Sequence, residues 1–217
     1  QNIIIEFMNQ MIKKIYPNPK KALIKAESMY LKPLLSDIKP YNRPFYYANF
    51  LSSLDGRIAI HDEKYSTLLT PDVIKSDIDF NLFCQLHAQA DCLVTNTNYI
   101  NGLNNGYYGD ILSQRNQKLI NWRKIKKLHS QKIVILSNSL NFKISDKIEK
   151  YKKNIMILTT CSNKRKIEYF KKNNYKLKKV AGKNITPNCL NKYVVKGNYK
   201  SVYFIAGPRI VEQMIAK

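Results

Sequence analysis

Apolar residues in this chain fall in short runs separated by polar stretches, and the spacing within each stretch sets the predicted elements. Phe45–Leu51 is aromatic or apolar along most of its length, which suits a buried strand. Asp55-Gly56 marks a turn, and Arg57–Ile60 resumes an extended pattern. Thr70-Pro71-Asp72 signals a helix start, and Ile78, Leu82, Phe83 and Leu86 recur behind it at helical spacing. Cys92–Thr95, Lys132–Leu136, Ile155–Leu158, Tyr175–Val180 and Val202–Ile205 predict further strands. Leu119–Leu128 and Lys164–Asn173 predict helices, and Asn96–Gly109, rich in Asn and Gly, predicts a loop. Gly207-Pro208 opens a last helix through Ile210, Val211, Met214 and Ile215.

Strands alternating with helices predict an α/β fold with a central, mostly parallel sheet flanked by helices. That domain spans residues 41–217. Residues 1–40 predict a helical N-terminal extension, amphipathic over Gln1–Ile15 and broken by Pro17, Pro19 and Pro33. The chain has 217 residues, 44% of them hydrophobic, which is enough for a core without staples. Cys84, Cys92, Cys161 and Cys189 form no CxxC pair, and His61, His87 and His129 are scattered, so no zinc-type spacing is present. Four reduced, mostly buried thiols are expected. No run of 18 apolar residues and no signal-peptide core occur, so a cytoplasmic protein without a membrane partner is expected.

The formal charge of +22 suggests a polyanion partner. The lysines are spread along the chain among many Asn, Ile and Tyr, as an AT-rich genome would give, which reads as surface decoration. No specific nucleic-acid partner is expected, although a non-enzymatic nucleic-acid-binding protein stays open on charge alone. A positive field also favours phosphorylated ligands.

Ligands of open α/β sheets bind beyond the carboxyl ends of strands, which directs attention to three loops. The first is Asn49-Phe-Leu-Ser-Ser-Leu-Asp-Gly56-Arg57, where Ser53 and Asp55 offer polar groups. The same residues also suit an ordinary turn with an Asx cap. The second is Thr95-Asn96-Thr97-Asn98-Tyr99, whose small polar residues suit phosphates or a plain polar loop. The third is Ile205-Ala206-Gly207-Pro208-Arg209, a Gly turn before a helix start, with Pro208 removing one N–H donor. No GxGxxG and no Walker lysine pattern is present.

Arg43-Pro44-Phe45-Tyr-Tyr-Ala-Asn49-Phe-Leu-Ser-Ser53-Leu54-Asp55-Gly56-Arg57-Ile58-Ala59 resembles the opening of the pyrimidine reductases of riboflavin biosynthesis, the reductase half of a bifunctional deaminase–reductase. Leu86-His87-Ala88-Gln89-Ala90-Asp91-Cys92-Leu93-Val94 and Ser201-Val202-Tyr203-Phe204-Ile205-Ala206-Gly207-Pro208 resemble two later blocks of that family, in the same order. The family's Gly-x-Gly-Thr is Asn96-Thr97-Asn98-Tyr99 here, its Leu-Arg-Ala arginine is His87, and the Glu before its Gly-Gly pair is Ile205.

The resemblance implies a dihydrofolate-reductase-like fold, NADPH as cofactor, and a phosphorylated pyrimidine whose ribosyl side chain is reduced to ribityl. By the same resemblance Asp55 organises the reacting end, and Asn49, Ser53 and His87 contact the substrate. The cofactor contacts it implies are Leu51, Gly56, Thr95, Asn96, Asn98, Tyr99, Ser137, Ala206, Gly207, Pro208 and Arg209. A homodimer is implied for the full-length protein, and the chain is expected to stop short of the family's C-terminal strands. A reductase of the same fold with another pteridine-like or carbonyl substrate fits the departures. The zinc deaminase signature is absent.

Overall fold

Strands buried on both faces read as continuous apolar runs, and the runs of this chain form such a sheet. The computed structural model describes residues 11–13, 23–38, 43–205, 207–208 and 211–212. In chain order the elements begin with β1 (Met11–Lys13), β2 (Leu23–Lys25), β3 (Phe45–Ala48), β4 (Ile60–Asp62) and β5 (Thr67–Leu69). Then come α1 (Asp77–Gln89), β6 (Cys92–Asn96), α2 (Thr97–Asn105), α3 (Gln117–Ile125) and β7 (Lys132–Leu136). The rest are α4 (Asp146–Glu149), β8 (Ile155–Thr159), α5 (Lys164–Lys172), β9 (Lys176–Lys179), α6 (Pro187–Lys196) and β10 (Ser201–Phe204). Helical backbone resumes at Pro208 and at Val211 and Glu212.

Six strands form one sheet in the order β3-β10-β6-β7-β8-β9, and every pair in it is parallel. This is the α/β architecture expected from the alternation of elements. Side-chain alternation splits the core into two layers. Leu93, Ile133, Ile135, Ile157 and Tyr203 face α1, α2, α4 and α5, meeting Phe83, Ile100, Leu103, Ile148 and Phe170. Val94, Val134, Leu158, Val202 and Phe204 face the other way and meet Leu190 and Val194 of α6. The right-handed crossover rule explains the division. The chain steps in one direction through β6, β7, β8 and β9, then returns across the sheet to insert β10, so α6 falls on the opposite face.

The insertion of β10 is fixed at its amino end. The Asp91 carboxylate accepts from the N–H groups of Lys200 at 2.9 Å and Ser201 at 3.2 Å, and the Ser201 hydroxyl donates to the Gln89 carbonyl at 2.9 Å. Parallel register then places the carboxyl ends of β3, β10, β6 and β7 side by side.

Several elements differ from the sequence expectation. The loop expected over Asn96–Gly109 holds α2, because Tyr99, Ile100 and Leu103 bury one helical stripe while the Asn residues face outward. Gly106, at φ +81°, ends it in the left-handed conformation. The signal at Thr70-Pro71-Asp72 yields a 3-10 turn at Asp72–Ile74, and α1 starts at Asp77, with the Ser76 side chain accepting from the Ile78 N–H. The extended run at Arg57–Ile60 becomes a strand at Ile60, paired antiparallel with β5. Helix α6 begins where Thr186 accepts from the Cys189 N–H and Pro187 occupies the first turn. All four cysteines are free, Cys92 and Cys161 being buried and Cys84 and Cys189 half-buried.

The described residues of the N-terminal extension are not α-helical. Met11–Lys13 and Leu23–Lys25 pair antiparallel, and 3-10 turns follow at Ala26–Ser28 and Leu35–Asp37. Two buried glutamines of α1 hold this segment. Gln85 accepts from the Tyr30 N–H at 2.9 Å and donates to the Ala26 carbonyl at 2.5 Å. Gln89 accepts from the Leu35 N–H at 3.1 Å and donates to the carbonyls of Tyr30 at 2.6 Å and Pro33 at 3.1 Å. Residues without regular structure thereby satisfy their backbone against side chains, as buried backbone must. Among the described residues no helix is long and apolar enough to cross a membrane.

Candidate functional site

The carboxyl end of β6 runs directly into α2, so Asn96 closes a strand and caps a helix at once. Its side-chain oxygen accepts from the Tyr99 N–H at 3.0 Å. The free N–H groups of a helix start and the helix dipole favour an anion at this point. The third loop arrives at the same place. Gly207 has φ +66°, and a Cβ on it would lie 3.0 Å from the Asn96 side-chain nitrogen. A side chain there would be strained and crowded, so glycine lets the turn after β10 close against the start of α2.

A cleft of about 480 Å³ opens beside this junction. Asn96, Thr97, Asn98 and Asn101 line it from α2, Leu136, Asn138, Ser139 and Asn141 from β7 and its following loop, and Asn184 and Ile185 from the loop before α6. The walls are tied together. Thr97 donates to the Ser137 hydroxyl oxygen at 2.7 Å, and that oxygen also accepts from the Leu140 N–H at 2.9 Å. The Asn138 side chain donates to Asn184 at 2.9 Å and accepts from the Ile185 N–H at 3.1 Å. The lining is uncharged, so the cleft offers amide and hydroxyl groups that can donate or accept.

The first loop lies at the same end of the sheet, because Ala48 of β3 pairs with Phe204 of β10 and Asn49 follows at once. Asn49 and Leu51 are half-buried. The turn beyond closes on itself: Ser53 donates to the Asp55 carboxylate and to the Arg57 carbonyl, the latter at 3.1 Å, and the Arg57 N–H reaches the same carboxylate at 3.3 Å. Gly56 takes φ +81° at its corner. The Asp55 side chain is 60% exposed and pairs with the Arg57 guanidinium at 3.2 Å. The Ser53 hydroxyl, and after it the Arg57 N–H, hold the Asp55 carboxyl below the ordinary aspartate range. The Asx-capped turn and the polar strand end are thus one feature.

Three expected contacts do not line the cleft. His87 is 1% exposed and sits at the end of α1, just before β6 begins, which is the amino end of the sheet. Its Nε2 meets the Ile111 carbonyl at 3.1 Å, and burial lowers its pKa to about 4. The Tyr99 ring packs in the core, where its hydroxyl donates to the Gly109 carbonyl at 2.8 Å. Thr95 is fully buried, and its hydroxyl has no partner among the described residues. The arrangement brings together Asn96, Asn98, Ser137 and Gly207, with Pro208 exposed beside them. Ala206 and Arg209 lie outside the described residues. Sequence reasoning missed Asn138, Ser139, Asn141 and Asn184; the polar run after the β7 strand was the available signal.

A smaller cleft of about 260 Å³ lies at the amino end, beside Arg123. That guanidinium donates to the carbonyls of Ala88 at 2.5 Å, Ala90 at 3.0 Å and His129. Its donors cap the end of α1, which is a structural task.

No protein-family model matches the chain, and no curated protein matches it. Solved structures do. A pyrimidine reductase-like protein from Corynebacterium diphtheriae superposes with a TM-score of 0.67 at 16% identity, over 89% of this chain and 77% of that one. A diaminohydroxyphosphoribosylaminopyrimidine deaminase/5-amino-6-(5-phosphoribosylamino)uracil reductase from Thermotoga maritima gives 0.52 at 14% identity, over 80% and 42%. RibD from Acinetobacter baumannii gives 0.53 at 15% identity, over 81% and 43%. The chain therefore spans under half the length of the last two proteins. At these identities the likeness is one of fold, and the chain has the fold of these pyrimidine reductase-like proteins.

Proposed function

We propose that the chain is an NADPH-dependent reductase of riboflavin biosynthesis, acting on a phosphoribosylamino-pyrimidine in the cytoplasm. One observation carries the reading. The Asn96 cap, the α2 start and the Gly207 turn converge on an amide-lined cleft at the carboxyl edge of a sheet with the pyrimidine reductase-like fold. Open α/β sheets bind nucleotides at that edge. The residues fit a dinucleotide: Gly207 permits close backbone approach, the α2 start suits a pyrophosphate, and Asn138, Ser139 and Asn184, which line the cleft, suit ribose and base edges.

Bound there, the cofactor would supply a hydride from nicotinamide C4 to the imine carbon of the ring-opened substrate. The balancing proton would pass from solvent water to the imine nitrogen. Asp55 is ionised at neutral pH, so it accepts hydrogen bonds and orients the reacting end; it does not donate that proton. Asn49 and Ser53, on the same loop, would hold the substrate by hydrogen bonds. A second reading, a reductase with another pteridine-like or carbonyl substrate, draws on His87, which is buried away from the cleft. Turnover of a substrate panel separates the two.

Ligand-linked stability tests the cofactor. NADPH at a hundredfold over its dissociation constant should add roughly 2.7 kcal/mol in a thermal-shift titration. No response to NADPH would count against the reductase.

A further inference from the structure

Lysines occur throughout the chain, but the acids that would balance them do not. Residues 1–110 hold eleven Lys or Arg and eleven Asp or Glu, so their formal charges cancel. Residues 111–200 hold 24 Lys or Arg against three acids, Asp146, Glu149 and Glu168, and so carry nearly all of the +22. Surface decoration alone would leave bases and acids mixed from end to end. An asymmetry of this size between two parts of one chain marks a polyanion contact.

The fold turns this division into a spatial one. Residues 111–200 build α3, β7, α4, β8, α5, β9 and α6, so the basic part holds β7, β8 and β9 together at one side of the sheet. At its outer edge Lys176, Lys178 and Lys179 of β9 are exposed. They are flanked by exposed Lys172 on α5, at one face of the sheet, and by exposed Lys192 and Lys196 on α6, at the other. The Lys178 ammonium lies 5.9 Å from the centroid of the Tyr193 ring, which orients it. Among the described residues no ion pair involves any residue from Lys164 to Lys200.

Shape and one side chain give the class of partner. A bilayer is flat and would meet one face of this edge, whereas the charge wraps from α5 round β9 to α6. A flexible chain of phosphodiesters can follow it. Tyr169 lies on α5 one helical turn from both Arg165 and Lys172, and it is 44% exposed. An exposed ring between two cations lets a base stack while the cations meet its phosphates. From this we infer that the β9 edge binds single-stranded nucleic acid without regard to sequence.

Anisotropy titrations of the full chain with labelled oligo(dT) and a mixed-sequence oligomer, between about 50 and 200 mM salt, test it. Wild type should bind both oligomers about equally. Lys176→Gln, Lys178→Gln and Lys179→Gln together should weaken binding about tenfold at the lower salt. They should also make the log–log salt slope shallower by about two, since each phosphate contact to a single strand contributes about 0.7. The same charge removed at Lys124, Lys126 and Lys127, by the end of α3, should cost less than about twofold, because salt screens charges that do not touch the strand. Tyr169→Ala should weaken oligo(dT) about fivefold and leave heparin, a polyanion without bases, unchanged, and Tyr169→Phe should bind as wild type does. Melting temperatures show that each variant is folded. Equal losses in the two lysine triples would overturn the location. Tyr169→Ala acting on both polyanions or on neither, or displacement of the oligomer by phosphatidylserine vesicles, would overturn nucleic acid as the partner. A preference between the oligomers, or wild type that binds neither, would overturn the inference as stated.

Discussion

His87 shows how burial alone can decide what a residue does. Desolvation dominates its shift; the Ile111 carbonyl opposes it, Arg123 adds to it and Asp110 counters. The folded imidazole stays neutral down to about pH 4, whereas the unfolded one takes a proton near 6.5. The unfolded state therefore binds more protons in that window, and stability falls as the pH drops through it. The loss between pH 7 and pH 5 should be about 2 kcal/mol. Urea unfolding at both pH values measures it, and His87→Gln, which keeps a donor for Ile111, should flatten the slope. Asp55 stands at the other extreme. Asp55→Asn keeps an acceptor for Ser53 and the Arg57 N–H on an exposed turn, so stability should stay within about 0.5 kcal/mol. Turnover should fall at least tenfold. An unchanged rate would remove Asp55 from the reacting end, and an equal loss of folding would make it a turn residue only.

At the scale of elements, α2 and the N-terminal extension give contrasting tests. Asn96→Asp preserves the cap and adds charge that a helix start tolerates, so the melting temperature should hold or rise. Nucleotide affinity should drop by tenfold or more, because the new carboxylate faces the anion. Retained affinity would move the phosphates away from α2. Gln89→Ala removes three hydrogen bonds and takes the partner from the backbone groups of Tyr30, Pro33 and Leu35. Leaving such groups unmet costs roughly 1–3 kcal/mol each when they stay buried, so detachment of the segment is the cheaper response. Proteolysis should then cut residues 23–38 first, with the sheet intact; unaltered cleavage would show that other contacts hold the segment.

For the whole molecule the question is what a charge of +22 does. The residues that line the cleft carry none of it. A stretch from Lys164 to Lys200 instead surrounds the β9 edge, where Lys176, Lys178 and Lys179 are exposed. Lysines on an edge strand discourage pairing with another sheet. Oligonucleotide binding should accordingly be sequence-blind and weaken by orders of magnitude between about 50 and 200 mM salt, as counterion release requires. NADPH binding should change less, because directional contacts in a cleft share the work. Paired titrations decide it, and sequence-selective oligonucleotide binding at the higher salt without an NADPH signal would reverse the assignment.

Local pattern was sufficient wherever burial acts on consecutive residues. Lys132–Leu136 and Ile155–Leu158 read as buried strands because both faces are covered, and α/β alternation with a parallel sheet followed from their order. The strand ends that frame the cleft were legible for the same reason. Pattern was insufficient where composition and environment disagree. Asn-rich α2 looked like a loop because its apolar stripe is narrow, and α6 was hidden among polar residues. His87 and Tyr99 carried no local sign that they point into the interior. Only the sheet order could show that Asn96 and Gly207, 111 residues apart in sequence, meet at one point. That meeting depends on β10 inserting beside β6, a long-range pairing held by Asp91 and Ser201, and residue spacing along the chain contains no measure of it.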